Sequence, residues 1–228
     1  MTTALKLVML DLDGTLIETA PEIADAVNDT LSQLGLRSVT LQQVNDWIGH
    51  GTHTLLVSAL ADAKQTSTEA IHAWDGLSNA STVFNGFYQQ RCGTRSHLYP
   101  HVRSVLAELA QKGVRLAVVT NKEGRFTQTV LKAHAMQDTF DIVISGDTLP
   151  TKKPNPAAIQ HCLDRFGLKA EEAIFIGDSS IDAATAKNAG VRVWLLPYGY
   201  NMGESVNASN PDRVIPDFLP ILSLLEHE

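Results

Sequence analysis

Five short apolar runs constrain the fold of this chain more than any other feature. They cover residues 6–10, 115–119, 140–145, 173–176 and 191–196, and each ends in polar or glycine-rich sequence. They are rich in Leu, Val and Ile and show little alternation, the pattern of parallel strands buried on both faces. Helical periodicity fills the gaps between the later runs. Residues 100–112 carry Val102, Val105, Leu106 and Leu109, with Gly113 as a stop. Residues 155–166 place Asn155 as a cap, Pro156 in the first turn, and Gly167 as a stop. Strand and helix alternate, which predicts an α/β fold: a doubly wound parallel sheet with a Rossmann-like core.

One stretch breaks the alternation. Between the first run and Pro100 lie about ninety residues without a clear strand, too many for a loop. Thr19-Ala20-Pro21-Glu22 reads as a capping box, and Ile23, Ala26, Val27, Leu31 and Leu34 share one helical face up to Gly35. Further helical segments are expected over 41–48, 52–63 and 69–91. Residues 16–95 are therefore expected to form a small α-helical cap domain, inserted after the first strand. Residues 1–15 and 96–228 would form the core. An insert at that point lies over the strand's carboxyl end, where a lid would sit.

Ligands of open α/β sheets bind outside the carboxyl ends of the strands. The first strand is followed by Asp11-Leu12-Asp13-Gly14-Thr15 and the second by Thr120-Asn121-Lys122. The third leads to Lys152-Lys153-Pro154, and the fourth to Gly177-Asp178-Ser179-Ser180-Ile181-Asp182. Several carboxylates converging on one edge stay ionised together only around a cation. All the donors are oxygen, which points to a hard ion such as Mg²⁺. No His/Cys set has the spacing of a zinc site. One carboxylate can serve as nucleophile, and a second two residues on as acid and base. Lys153, the helix start at Asn155, Thr120 and Asn121 suit a phosphoryl group. Lys152 reads as a solvated neighbour. In the insert, Gly49-His50-Gly51 reads as a turn facing the site.

Charge and composition remove other classes. With 18 Lys+Arg against 25 Asp+Glu the net charge is −7, which argues against nucleic-acid partners and anionic membranes. No apolar run approaches a membrane span, and residues 1–10 are too short and polar for a signal peptide. Cys92 and Cys162 form neither a disulfide framework nor a C-x-x-C motif, the pattern of reduced thiols in a cytoplasmic protein.

The four motifs, in this order, resemble those of the haloacid dehalogenase-like hydrolase superfamily: DxDG[T/V], then Thr or Ser, then Lys, then GDxxxD. The resemblance spans the whole chain. It implies that Asp11 is the nucleophile and a metal ligand, and that Asp13 is the acid/base with its main-chain carbonyl on the metal. It implies that Thr120 and Asn121 hold the phosphoryl group and that Lys153 balances the charge. Asp178 would ligate Mg²⁺ and Asp182 would orient the metal site from behind. Within the superfamily the chain is most similar to bacterial phosphoglycolate phosphatases, through Trp47-Ile48-Gly49-His50-Gly51, Thr120-Asn121-Lys122, residues 147–154 and Tyr198-Gly199-Tyr200-Asn201. His50 stands where these relatives often have Asn. The resemblance implies a small phosphorylated metabolite as substrate, 2-phosphoglycolate foremost, with the leaving group read by the cap. There a main-chain amide of the Gly49–Thr52 turn (Gly49, Gly51), His50 or a cap arginine could hold its carboxylate. A monomer or homodimer is expected. Sugar phosphomutases resemble the chain less, because their nucleophile loop usually reads DGV where this one has Gly14-Thr15.

Overall fold

The computed structural model describes residues 4–225. The first and last three residues of the expected core, including the start of the segment considered as a signal, lie outside the described residues. Six parallel strands form one sheet in the order β5-β4-β1-β6-β7-β8. They are β1 (Leu7–Leu10), β4 (Arg115–Val119), β5 (Ile142–Ile144), β6 (Ala173–Gly177), β7 (Arg192–Leu195) and β8 (Arg213–Val214). Five are the apolar runs. The sixth, β8, is two residues long and carries no pattern of its own.

Alternation within the strands sorts side chains to two faces. Val8 and Leu10 of β1, Leu116 and Val118 of β4, and Ile174 and Ile176 of β6 enter one apolar cluster. Leu7, Met9, Ala117, Val119, Ala173 and Phe175 enter the other. Helices α6 (Val102–Gln111) and α7 (Gly124–Ala133) cover the first face. Helices α8 (Ala157–Phe166) and α9 (Ser180–Asn188) cover the second. Both faces of the sheet are therefore dry, which is why its strands show hydrophobic runs.

Helix α8 starts one residue later than its sequence signals suggest. Pro156 is the capping position, and Asn155 Oδ1 accepts the Ala157 N–H at 3.0 Å from one residue further out. The anion site expected at this helix start is thereby partly filled by the chain itself.

The connection from β1 to β4 holds the helices α1 (Ala20–Gln33), α2 (Leu41–Trp47), α3 (Thr52–Lys64), α4 (Thr68–His72) and α5 (Leu77–Arg91). Its entry, β2 (Ile17–Glu18), and its exit, β3 (His97–Leu98), pair antiparallel. Residues 69–91 are two helices rather than one. The chain breaks at Gly76, where a side chain would collide with the indole of Trp74.

The capping box expected at Thr19–Glu22 does not form. Thr19 makes no side-chain cap bond. Its hydroxyl turns to Asp13 Oδ1 at 2.7 Å. Glu22 is fully buried, and its Oε2 accepts the main-chain N–H groups of Gly93, Arg95 and Ser96 at 2.9, 3.2 and 3.0 Å. Three amide donors from the returning chain hold the buried Oε2 better than one local helix N–H would, while Oε1 is left without a partner among the described residues. Glu22 thus fastens the start of the helical segment to its end.

Candidate active site

Asp11 directly follows β1, the strand at which the chain's crossovers change direction across the sheet, so the site lies at the topological switch point. Its Oδ1 accepts the Leu12 N–H at 2.7 Å and its Oδ2 lies 2.9 Å from Lys153 Nζ. Lys153 Nζ also donates to Asp182 Oδ1 at 2.7 Å. The other oxygen of Asp182 accepts from Asp178 N, Ser179 N and Ser179 Oγ. The Ser179–Asp182 capping box of α9 therefore also aims Asp182 at Lys153. Asp178 is held by the Thr15 hydroxyl and by the Tyr200 N–H, 2.6 Å from its Oδ2. Gly14 has φ +81°, and a side chain there would collide with the Asp178 carboxylate.

Asp11, Asp178 and Asp182 each bring a carboxylate oxygen within 4.8 Å of the others, and all three are buried. Burial pushes the Asp11 carboxyl up to about 6 against the pull of Lys153, with Asp182 adding to the rise. Burial lifts Asp178 well above the usual carboxylate range, and Asp182 and Asp11 add to it. Burial works against the charge of Lys153 too, but Asp11 and Asp182 hold its pKa above that of an ordinary lysine. Lys153 pairs with Asp11 and Asp182, and no lysine or arginine among the described residues pairs with Asp178, which leaves the trio short of positive charge. An all-oxygen donor set with excess negative charge suits a hard metal cation.

Asp13 is turned away from this trio. Its Oδ1 accepts from Thr19 Oγ1 and from Lys122 Nζ at 2.9 Å, and its Oδ2 lies 3.1 Å from the same ammonium. Any part it takes in holding a metal falls to its main-chain carbonyl, as the sequence resemblance implies. Lys122 also bonds the hydroxyl of Tyr88, a fully buried residue of α5. Burial opposes its charge, yet Asp13 raises its pKa above the ordinary value.

Thr120 follows β4 and lines the cavity between sheet and helical segment. Asn121 lines it too, but its amide is committed elsewhere. Its Nδ2 donates to the carbonyls of Gly49 and Lys153, at 2.9 and 3.1 Å, and its Oδ1 accepts the Lys153 N–H at 2.9 Å. The Asn121 side chain therefore acts as a brace. It explains how Lys153, nine residues beyond β5, is returned to the site. Lys152 is largely solvated, 3.9 Å from Glu123.

The insert contributes Ile23, Ile48, Gly49, Gly51, Thr52 and Leu55 to the cavity lining. His50, expected there, is exposed and outside the lining: the turn presents its glycines inward and its imidazole to solvent. Arg37, Arg91 and Arg95 pair with Asp62, Asp29 and Asp25 away from the site. Sequence reasoning passed over Thr15, Thr19, Tyr88, Lys122 and Tyr200. Thr15, Lys122 and Tyr200 lie inside motifs already recognised, which was the available signal. Thr19 and Tyr88 had none.

The haloacid dehalogenase-like hydrolase family profile matches residues 8–196, which span the site from β1 to the end of β7. A phosphoglycolate phosphatase of Vibrio parahaemolyticus is 38% identical over 221 residues, covering 97% of this chain and 96% of its own. One of Nitrosococcus oceani is 38% identical over 220 residues, covering 96% of each. A crystal structure of a predicted phosphoglycolate phosphatase from Haemophilus somnus 129PT superposes with a TM-score of 0.91 at 35% identity, covering 98% of this chain and 99% of that one. Nearly end-to-end likeness, joined to carboxylates at the switch point of a doubly wound sheet, shows that this chain belongs to the haloacid dehalogenase-like hydrolase family.

Proposed function

We propose that the chain hydrolyses 2-phosphoglycolate to glycolate and phosphate through an aspartyl-phosphate on Asp11. The observation that carries this is the pairing of two unlike aspartates two residues apart. Asp11 sits in a buried carboxylate cluster against Lys153. Asp13 faces the cavity from a separate set of partners. Two environments for two carboxylates assign two roles. Mg²⁺ is the cation we assign to the trio; when bound, it neutralises charge on the phosphoryl oxygens and on Asp11.

The Asp11 carboxylate attacks phosphorus and the bond to the leaving oxygen breaks. Asp13 gives that oxygen a proton, so glycolate leaves neutral at its hydroxyl. Thr120 and the ammonium of Lys153 hold the phosphoryl oxygens. Asp13 then takes a proton from water as it attacks the aspartyl-phosphate, which frees phosphate and restores Asp11.

Residues 16–95 act as the cap. Their apolar lining excludes water and leaves room for a small leaving group. We assign the substrate carboxylate to the main-chain N–H groups of the Gly49–Thr52 turn, since the cap arginines are paired elsewhere and His50 faces solvent. No helix among the described residues is long and apolar enough to cross a membrane. Cys92 and Cys162 are both buried and free, which supports a reducing, cytoplasmic setting.

The test is phosphate release from a panel of phosphorylated metabolites, with and without chelation. Excess EDTA is expected to abolish turnover and Mg²⁺ to restore it, with 2-phosphoglycolate the best substrate. Acid-quenched enzyme is expected to carry phosphate on the peptide containing Asp11, labile to hydroxylamine. Full activity after rigorous chelation, or a better substrate lacking a carboxylate, would overturn the corresponding part.

A further inference from the structure

We propose that Lys122 is the positioning residue for the Asp13 carboxylate, and that Tyr88 of the cap holds Lys122 in place. The proposal rests on the acid/base role given to Asp13 above.

From its sequence position beside Thr120 and Asn121, Lys122 would be expected to serve the phosphoryl group. Its geometry says otherwise. The side chain is 1% exposed. An ammonium has three N–H donors, and Lys122 Nζ meets three acceptors: both oxygens of Asp13, at 2.9 and 3.1 Å, and the Tyr88 hydroxyl. All three contacts are with protein groups on the Asp13 side of the site, none with the trio around Asp11. A cation that straddles both oxygens fixes the plane of the carboxylate as well as its distance. Thr19 adds a second bond to Oδ1. Oδ2 is left with the ammonium alone, so it is the oxygen with free lone pairs for proton traffic.

Tyr88 makes this arrangement a property of the docked cap. It stands on α5, and its ring lies 4.4 Å, centroid to centroid, from Phe126 of core helix α7. The residues on either side of Lys122 reach the cap as well. Asn121 bonds the Gly49 carbonyl and Glu123 accepts the Thr52 hydroxyl at 2.7 Å. Three successive residues of one core loop therefore meet three points of the cap. The middle one carries the contact through to Asp13.

The test uses the full-length enzyme with Mg²⁺ and 4-nitrophenyl phosphate, followed by rapid mixing. This ester has a good leaving group and needs little acid help, whereas water always needs the base. Lys122→Met is expected to lower steady-state turnover by about 10²-fold while slowing the first turnover less than about 10-fold. A burst near one nitrophenolate per site and accumulated phosphoenzyme should follow. In an Asp13→Asn background, Lys122→Met should cost no more than about 2-fold, because the group it positions is already disabled. Tyr88→Phe deletes one oxygen and keeps the ring. It should give the same burst with a steady state about 3- to 10-fold down, and be equally silent beside Asp13→Asn.

A Lys122→Met enzyme without a burst, or one that multiplies the Asp13→Asn loss, overturns the proposal. If Lys122→Met fails to fold, Tyr88→Phe decides, and a wild-type steady state in it overturns the proposal. Should Asp13→Asn itself show no burst, the reading of Asp13 fails and the proposal falls with it. A burst in Asp13→Asn but in neither other variant overturns the proposal alone.

Discussion

The floor and the roof of the cavity are built on different physics. On the floor, Asp11, Asp13, Lys122, Lys153 and Asp178 each make at least two directional bonds, and the groups come from loops at strand ends. On the roof, Ile23, Ile48 and Leu55 offer shape, and Gly49 and Gly51 offer bare main chain. The contrast fits the two halves of a phosphomonoester. The phosphoryl half is the same in every substrate and needs fixed charges. The leaving half differs between substrates and is selected by fit.

The comparison can be broken most directly at the floor. Asp11→Asn keeps the shape and removes the nucleophile, so phosphate release is expected to fall by about 10³-fold or more, with no phosphoenzyme by mass. A phosphorylated Asp11→Asn protein would move the covalent step to another residue.

A roof substitution should act on choice rather than on chemistry. Leu55→Ala is expected to lower the kcat/KM ratio of 2-phosphoglycolate to 4-nitrophenyl phosphate about 10-fold, with kcat on the aryl ester within about 3-fold. The truncation also costs roughly 2–5 kcal/mol of stability, so the ratio is the readout, taken well below the melting temperature. An equal fall on both esters would erase the distinction between roof and floor. The smallest effect is expected at His50. His50→Ala should shift the same ratio by less than about 2-fold, because the imidazole faces solvent. A larger shift would return His50 to the roof.

The parts legible in the sequence were those that depend on local pattern. The buried strands announced themselves as apolar runs because both sheet faces are covered. The floor was legible because each motif follows a strand directly, except Lys153, which needs Asn121 to bring it back. One cause of failure is competition from partners remote in sequence. Thr19 and Glu22 have the spacing of a capping box, but Asp13 and the amides of residues 93–96 claim their oxygens. The Asn121 side chain braces Gly49 and Lys153, a use that no local pattern announces. Strands β2, β3 and β8 are two residues each, too short for any periodicity to register.

The pairing of β2 with β3 has an evolutionary consequence. Ile17 faces Leu98 and Glu18 faces His97, and antiparallel partners lie about 5 Å apart at Cα. The chain thus leaves the sheet and returns to it through neighbouring points. To the sheet, everything between is a single hairpin loop of unusual length. The entropy of closing a loop rises only by about 0.6 kcal/mol per doubling, so the sheet is nearly indifferent to how much chain the ribbon carries. What lies beyond it is a cassette. A module whose two ends meet at one strand spacing can be spliced there without breaking the sheet, provided it restores the contacts that residues 121–123 make with the present cap. Lineages can therefore trade roofs while inheriting the floor, and one phosphoryl chemistry can be handed from metabolite to metabolite by recombination at two adjoining strands.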